Sequence, residues 1–111
     1  MVVRSGRRAG RPTMVLHYLP ERPEHSGGGD TPPPGARAGF VVGKAVGNSV
    51  VRHRVTRRLR AVVAGELHRL PASADLVVRA RPEAAAAESA TLHRDLVAGL
   101  DRLLGERVGR R

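Results

Sequence analysis

The chain of 111 residues has no cysteine, no tryptophan, one tyrosine and one phenylalanine. Without cysteine it can form neither a disulfide framework nor a thiolate metal site, and this composition is consistent with a reducing compartment. No run approaches the ~18 apolar residues of a membrane span. No apolar stretch follows the N-terminal arginines, as it would in a secretory signal. We therefore expect a soluble, cytoplasmic protein with no membrane partner.

Acidic residues are scarce, since 20 Lys and Arg residues face only 10 Asp and Glu residues and leave a net charge of +10. Nineteen of the twenty basic residues are arginine. A GC-rich genome would explain arginine in place of lysine, but not a basic surplus concentrated in short stretches. This balance favours nucleic acid as the partner over acidic metabolites.

Groupings typical of catalysts are also missing from the sequence. His53, His68 and His93 are scattered over predicted helices, and no HExxH motif, paired-carboxylate cluster or Ser-His-Asp set is visible. We therefore predict no catalytic residue and no metal site in the chain itself.

Hydrophobic periodicity predicts an α+β two-layer domain that spans the whole chain, residues 1–111. Strands are predicted at 13–19, at about 37–42 and at 75–80. One helix is predicted from Gly47 to Leu70-Pro71, and a second carries leucines at 92, 96, 100, 103 and 104. Residues 20–37 hold five of the eight prolines and are predicted to form a flexible connection, and residues 106–111 a basic tail.

The first predicted helix separates an apolar face from a basic one, and Asn48 or Ser49 is its expected N-cap. Six basic residues and no acid lie between Lys44 and Arg60. Exposed helices normally pair bases with acids three or four residues away, so this uncompensated charge indicates a polyanionic partner. The apolar arc comprises Val51, Val55, Leu59, Val62, Val63 and Leu67, and the opposite arc comprises Arg54, Arg57, Arg58 and Arg60, with Arg52 near the apolar edge.

The turn from Gly43 to Asn48 admits two interpretations. It lacks the spacing of a Walker A phosphate-binding loop, so it can be a plain connection with glycine at a special backbone angle. A helix N-terminus beside Lys44 would nonetheless suit a phosphate.

The segment from Gly39 to Arg60 resembles the signature of the bacterial ribonuclease P protein subunit. In that family a strand ends in Lys, passes through a glycine-containing turn and enters a helix with the pattern Arg-Asn-x-x-Lys-Arg-x-x-Arg. Lys44, Arg52, Arg57 and Arg60 match the family's basic residues, while His53 replaces the usual Asn and Thr56 the usual Lys. The order of elements agrees from Val2 to Leu104.

The resemblance implies a two-layer α/β sandwich with a central basic helix in a left-handed strand–helix–strand crossover and a short additional strand. It also implies an N-terminal helix, of which 2–6 looks like the last turn. We expect the rest of that helix to be missing here, through a late gene start, a truncation or true absence.

The resemblance further implies a protein subunit that binds the catalytic RNA of ribonuclease P and the 5′ leader of precursor tRNA. The RNA would perform the hydrolysis with Mg²⁺ held by RNA and substrate, and the chain would bind no cofactor and need no obligate protein partner. Val15 and His17 would line the leader cleft. The predicted RNA-binding residues are Lys44, Asn48, Arg52, His53, Arg54, Arg57, Arg58 and Arg60. The alternative is a non-catalytic DNA- or ribosome-binding module that uses the same helix.

Overall fold

The computed structural model describes residues 6–20 and 35–105, which form a four-stranded sheet with two α-helices. The strands are β1 (Arg7–Gly10), β2 (Met14–Leu19), β3 (Arg37–Val41) and β4 (Asp75–Ala80), and the helices are α1 (Ser49–Ala64) and α2 (Ser89–Leu104). The strand order is β1-β2-β4-β3, antiparallel except for the parallel pair of β3 and β4, which α1 connects. The predicted α+β sandwich with a basic crossover helix is confirmed.

Alternation along β2 places one face of the sheet in the core. Met14, Leu16 and Tyr18 are buried, whereas Val15 and His17 point to the other face and stay partly exposed, as the alternating pattern predicts. Burial raises the pKa of the Tyr18 hydroxyl above its ordinary value, an effect partly opposed by the positive charge of Arg7. Both helices pack on the buried face, so the opposite face of the sheet is open among the described residues.

Helix α1 begins where it was predicted but ends earlier. The Asn48 side chain accepts a hydrogen bond from the Val51 N–H at 3.0 Å, which confirms the expected N-cap. The helix stops at Ala64, not at Leu70-Pro71, because Gly65 has a low helix propensity and the chain tightens into the short 3₁₀ turn at Leu67–Arg69. Its buried residues, Val55, Leu59 and Val63, belong to the predicted apolar arc.

Helix α2 has the predicted leucine stripe on its core side. Leu92, Leu96, Leu100 and Leu103 are all buried, and Gly105 ends the helix in the left-handed conformation with φ 71°. Residues 83–88 are not part of it, because Pro82–Ala86 form a separate 3₁₀ turn. A Cβ atom added at Gly99 would lie 2.5 Å from the Leu16 Cδ1 atom, so glycine allows α2 to approach β2 closely.

Strand β1 was not predicted from the residues, although the resemblance implied a short additional strand. Its sequence, Arg-Arg-Ala-Gly, has no apolar alternation, and only Ala9 is buried. Pairing with β2 stabilises β1, so this strand depends on a tertiary contact and not on a local sequence pattern. Of the helix end that the resemblance implies at 2–6, only Gly6 is described, and it is not helical. Most of the connection at 20–37 and the basic tail at 106–111 lie outside the described residues.

A buried polar contact joins the β1–β2 turn to α2. Thr13 donates to the Asp95 Oδ2 atom from its N–H at 3.0 Å and from its hydroxyl at 2.6 Å. Both residues are buried, with exposures of 4% each. Leaving buried donors without a partner is costly, so this carboxylate fixes how α2 docks on the sheet.

Replacing Asp95 with Ala should therefore lower the free energy of unfolding by about 2–4 kcal/mol, because two buried donors lose their acceptor. For a domain of this size the melting temperature should fall by about 8 °C or more. Thermal denaturation followed by circular dichroism measures the change. Replacement of the exposed Glu83 with Ala is the control; equal melting of both variants would contradict the assigned role.

Candidate nucleic-acid interface

The turn before α1 presents the only lysine of the chain at the positive end of the helix dipole. Lys44 is exposed, and its carbonyl accepts a hydrogen bond from the Gly47 N–H at 3.1 Å. Gly47 has φ 155°, and a Cβ atom there would lie 2.8 Å from Val51 Cγ1 and 2.9 Å from its Cβ. Glycine is required at this position. The interpretation of the turn as a connection with glycine at a special backbone angle is confirmed. Phosphate binding at this helix N-terminus, which has no acid in its first turn, stays a prediction.

Three basic side chains of α1 face solvent. His53, Arg57 and Arg60 are exposed, and their side chains form no hydrogen bond or ion pair with another described residue. The Arg60 guanidinium carbon lies 5.7 Å from the centroid of the Phe40 ring, a cation–π distance that holds this side chain toward β3. These side chains are available to an anionic partner.

Arg54 and Arg58 belong to the predicted basic arc of α1, but their side chains are not free in solvent. Arg54 Nη2 donates to the Ala85 carbonyl at 3.2 Å, and Arg58 Nη1 donates to the Ala87 carbonyl at 2.8 Å. Both are partly buried and lie one helical turn apart, so they fasten α1 to the segment that leads into α2. The separation of α1 into an apolar and a basic arc could not predict these two hydrogen bonds. It places each side chain relative to the core and takes no account of a neighbouring turn.

Arg52 occupies the first turn of α1 and is partly buried, in agreement with its predicted place near the apolar edge. Its Nε atom is buried without a hydrogen-bond partner in the described part of the chain, and the same is true of Arg54 Nε. A shallow depression of about 400 Å³ lies on the same helix and is lined by Ser49, Val50, His53, Arg54 and Arg57. This depression combines cationic side chains with the apolar side chain of Val50, which is 70% exposed.

Acidic residues do not neutralise this surface. Within residues 6–20 and 35–105, carboxylates pair with bases elsewhere: Asp75 with Arg37, Asp101 with Arg69, and Glu66 with both Arg69 and His93. No such pair involves a basic residue of α1. Self-repulsion is therefore left uncompensated along the helix, which is typical of a surface that meets phosphates.

The open face of the sheet carries the two residues predicted to line a cleft. Val15 and His17 are both partly exposed there, two residues apart on β2. A shallow depression of about 310 Å³ includes His17, with Arg8 on one side and Val77 on the other. The α1 surface and this face lie on different layers of the sandwich, so they can contact different parts of a ligand.

Comparison with known proteins gives the family. The ribonuclease P family model matches residues 1–104. The chain belongs to the ribonuclease P protein family. It is thus a protein component of a tRNA-processing ribonucleoprotein enzyme. No group of three or more potential metal-ligating side chains occurs among the described residues, and none of the helices seen there is long and apolar enough to cross a membrane.

Relatives and solved structures agree with the assignment to ribonuclease P. The chain is 52% identical over 103 residues to the ribonuclease P protein component of Streptomyces bikiniensis, covering 93% of this chain and 83% of the relative. It is 50% identical over 101 residues to that of Corynebacterium diphtheriae, covering 91% and 82%.

Solved ribonuclease P proteins share the fold. The Staphylococcus aureus protein superposes with a TM-score of 0.66 at 22% identity, covering 88% of this chain and 81% of that one. The Thermotoga maritima protein gives 0.67 at 20% identity, covering 87% and 83%.

Proposed function

We propose that this ribonuclease P protein binds the catalytic RNA through α1 and its preceding turn, and the 5′ leader of precursor tRNA on the open face of the sheet. The observation that carries the proposal is the uncompensated charge of α1, whose exposed His53, Arg57 and Arg60 have no acidic partner in the described residues. Lys44 and the helix N-terminus extend the same surface.

The chemistry of leader removal is proposed to belong to the RNA. The protein residues bind and orient: guanidinium groups can form forked hydrogen bonds to phosphates, and their charge reduces repulsion between RNA and substrate. Magnesium would be held by RNA and substrate, with no cofactor on the chain and no obligate protein partner. The reaction is proposed to take place in the cytoplasm.

The open sheet face suits a single strand better than a duplex. Val15 and His17 lie in a shallow surface rather than beside a protruding helix, and an imidazole can stack on an unpaired base. Asn48 can donate its amide N–H groups to RNA, while its Oδ1 atom accepts the hydrogen bond that caps α1. Arg54 and Arg58 would act by holding α1 in place, with their remaining N–H groups near the RNA.

A DNA- or ribosome-binding module could use the same basic helix, but it would have no use for the open sheet face, and family membership does not favour it. The two functions differ in what the holoenzyme recognises. We expect reconstituted holoenzyme to bind precursor tRNA that carries a leader more tightly than mature tRNA, by about tenfold or more. Equilibrium titration with leaders of increasing length measures this. A holoenzyme indifferent to the leader would contradict the sheet-face assignment.

A further inference from the structure

Strand register places two arginines beside the leader-cleft residues. Arg8 on β1 is directly opposite His17 on β2, and His17 is opposite Val77 on β4. In the neighbouring row Val15 is opposite Arg79 on β4, and Arg79 is beside Val41 on β3. Residues opposite each other on adjacent strands share a face of the sheet. The open face therefore has a cation next to each cleft residue.

The fold uses the backbone of these two residues for strand pairing, but not their side chains. The Arg8 and Arg79 residues are exposed, and their side chains make no hydrogen bond or ion pair with any residue that the structure describes. Arg37 on the same face is different, because its Nε and Nη2 atoms donate to both oxygens of Asp75 at 3.0 and 3.1 Å. That hydrogen-bonded pair raises the pKa of Arg37 and neutralises the only acid on this face of the four strands. The charge that remains unpaired on the open face of the four strands is therefore positive.

The sheet surface between Arg8 and Arg79 is largely apolar. Val41 and Val77 are 39% and 36% exposed, and Val15 is partly exposed beside them. A flat surface of apolar side chains and an imidazole, flanked by cations, is typical of proteins that bind single-stranded nucleic acid. The cations contact the phosphate backbone, and the bases stack on the flat surface between them. A second copy of this chain would meet the same cations and be repelled.

We propose that Arg8 and Arg79 are further substrate-binding residues that contact phosphates of the leader as it crosses Val15 and His17. The proposal rests on the proposed function of the sheet face. It adds two residues outside the basic signature, on β1 and β4. The diagonal from Arg8 to Arg79 crosses two strand spacings and two residues, about 12 Å between Cα atoms, so each arginine would contact a different phosphate.

The test compares two doubly substituted holoenzymes with equal loss of charge. One carries Arg8→Ala and Arg79→Ala; the control carries Arg94→Ala and Arg102→Ala, which are exposed on α2 in the other layer. The R8A/R79A variant should lose about tenfold or more of the affinity that the leader adds, and its salt slope should become shallower by about 1.4, at about 0.7 per single-strand phosphate. Affinity for mature tRNA and for the catalytic RNA should stay the same, as should melting of the free protein.

Two results would overturn the proposal: leader affinity and salt slope equal to those of the control variant, or a drop in melting temperature without a change in leader affinity. The second result would mean that the Arg8 and Arg79 side chains contact other protein groups on the open sheet face, and not the leader. If the unsubstituted holoenzyme itself gains nothing from the leader, the proposed function of the sheet face fails first. A normal leader gain that R8A/R79A leaves intact would reject only the two arginines.

Discussion

Mixed with a bacterial ribonuclease P RNA, the chain is expected to accelerate leader removal from precursor tRNA, whereas the chain alone should cleave nothing. No cluster of three or more metal-ligating side chains occurs among the described residues, and we expect the RNA to perform the hydrolysis. Their contribution would be charge, because the arginines of α1 can replace diffuse magnesium in screening phosphates. The acceleration should therefore be largest at low magnesium, about tenfold or more in kcat/KM, and should shrink as magnesium rises.

Single-turnover cleavage over a magnesium series measures this, with RNA alone and protein alone as controls. Contamination is the main alternative source of cleavage, so protein carrying Arg57→Ala and Arg60→Ala should be purified in parallel. Magnesium-dependent cleavage by RNA-free protein, abolished by a chelator, would reject the assignment of the chemistry to RNA. An acceleration that is equal at all magnesium concentrations would reject charge screening as its cause.

Periodic patterns predicted those parts of the fold in which burial follows from position along one element. The alternation of Met14, Leu16 and Tyr18 and the leucine stripe of α2 are both confirmed by burial. These features need only one buried face per element. The Asn48 cap was equally local, since its acceptor and donor are three residues apart.

Features that depend on a distant partner could not be predicted in this way. Strand β1 has one buried residue, Ala9, and exists because β2 offers it a hydrogen-bonding edge. No prediction was made for Asp95, which accepts from Thr13, 82 residues away in sequence. Its position among leucines of α2 was the one available signal, because a charge on a buried stripe needs a partner.

The basic surface was predicted as a whole, but not the separate roles of its members. Spacing placed Arg54 and Arg58 with Arg57 and Arg60 on one polar arc, and only the neighbouring 3₁₀ turn distinguishes them. A cation that donates to backbone carbonyls contributes to the position of the helix, while an exposed cation contributes to the charge that RNA meets. This difference leads to a comparison of two variants with the same net charge.

Replacing Arg57 and Arg60 with Ala should weaken binding to the catalytic RNA by about 100-fold or more, because each contact of a charged group is worth about 1.5–3 kcal/mol. The slope of log affinity against log salt should become shallower by about 1.4–1.8, at about 0.7–0.9 per lost phosphate contact. Melting should change little, since both side chains are exposed.

The variant with Ala at 54 and 58 is the matched control, because it removes two charges from the same helix. It should lose stability, since both guanidinium groups donate to backbone carbonyls, while its salt slope should stay closer to that of the unsubstituted protein. Filter binding over a salt series and thermal melts of both variants provide the comparison. Identical salt slopes for the two would mean that α1 acts as a diffuse cation. A slope unchanged only in the 57/60 variant would place the RNA on the Arg54 and Arg58 side of the helix.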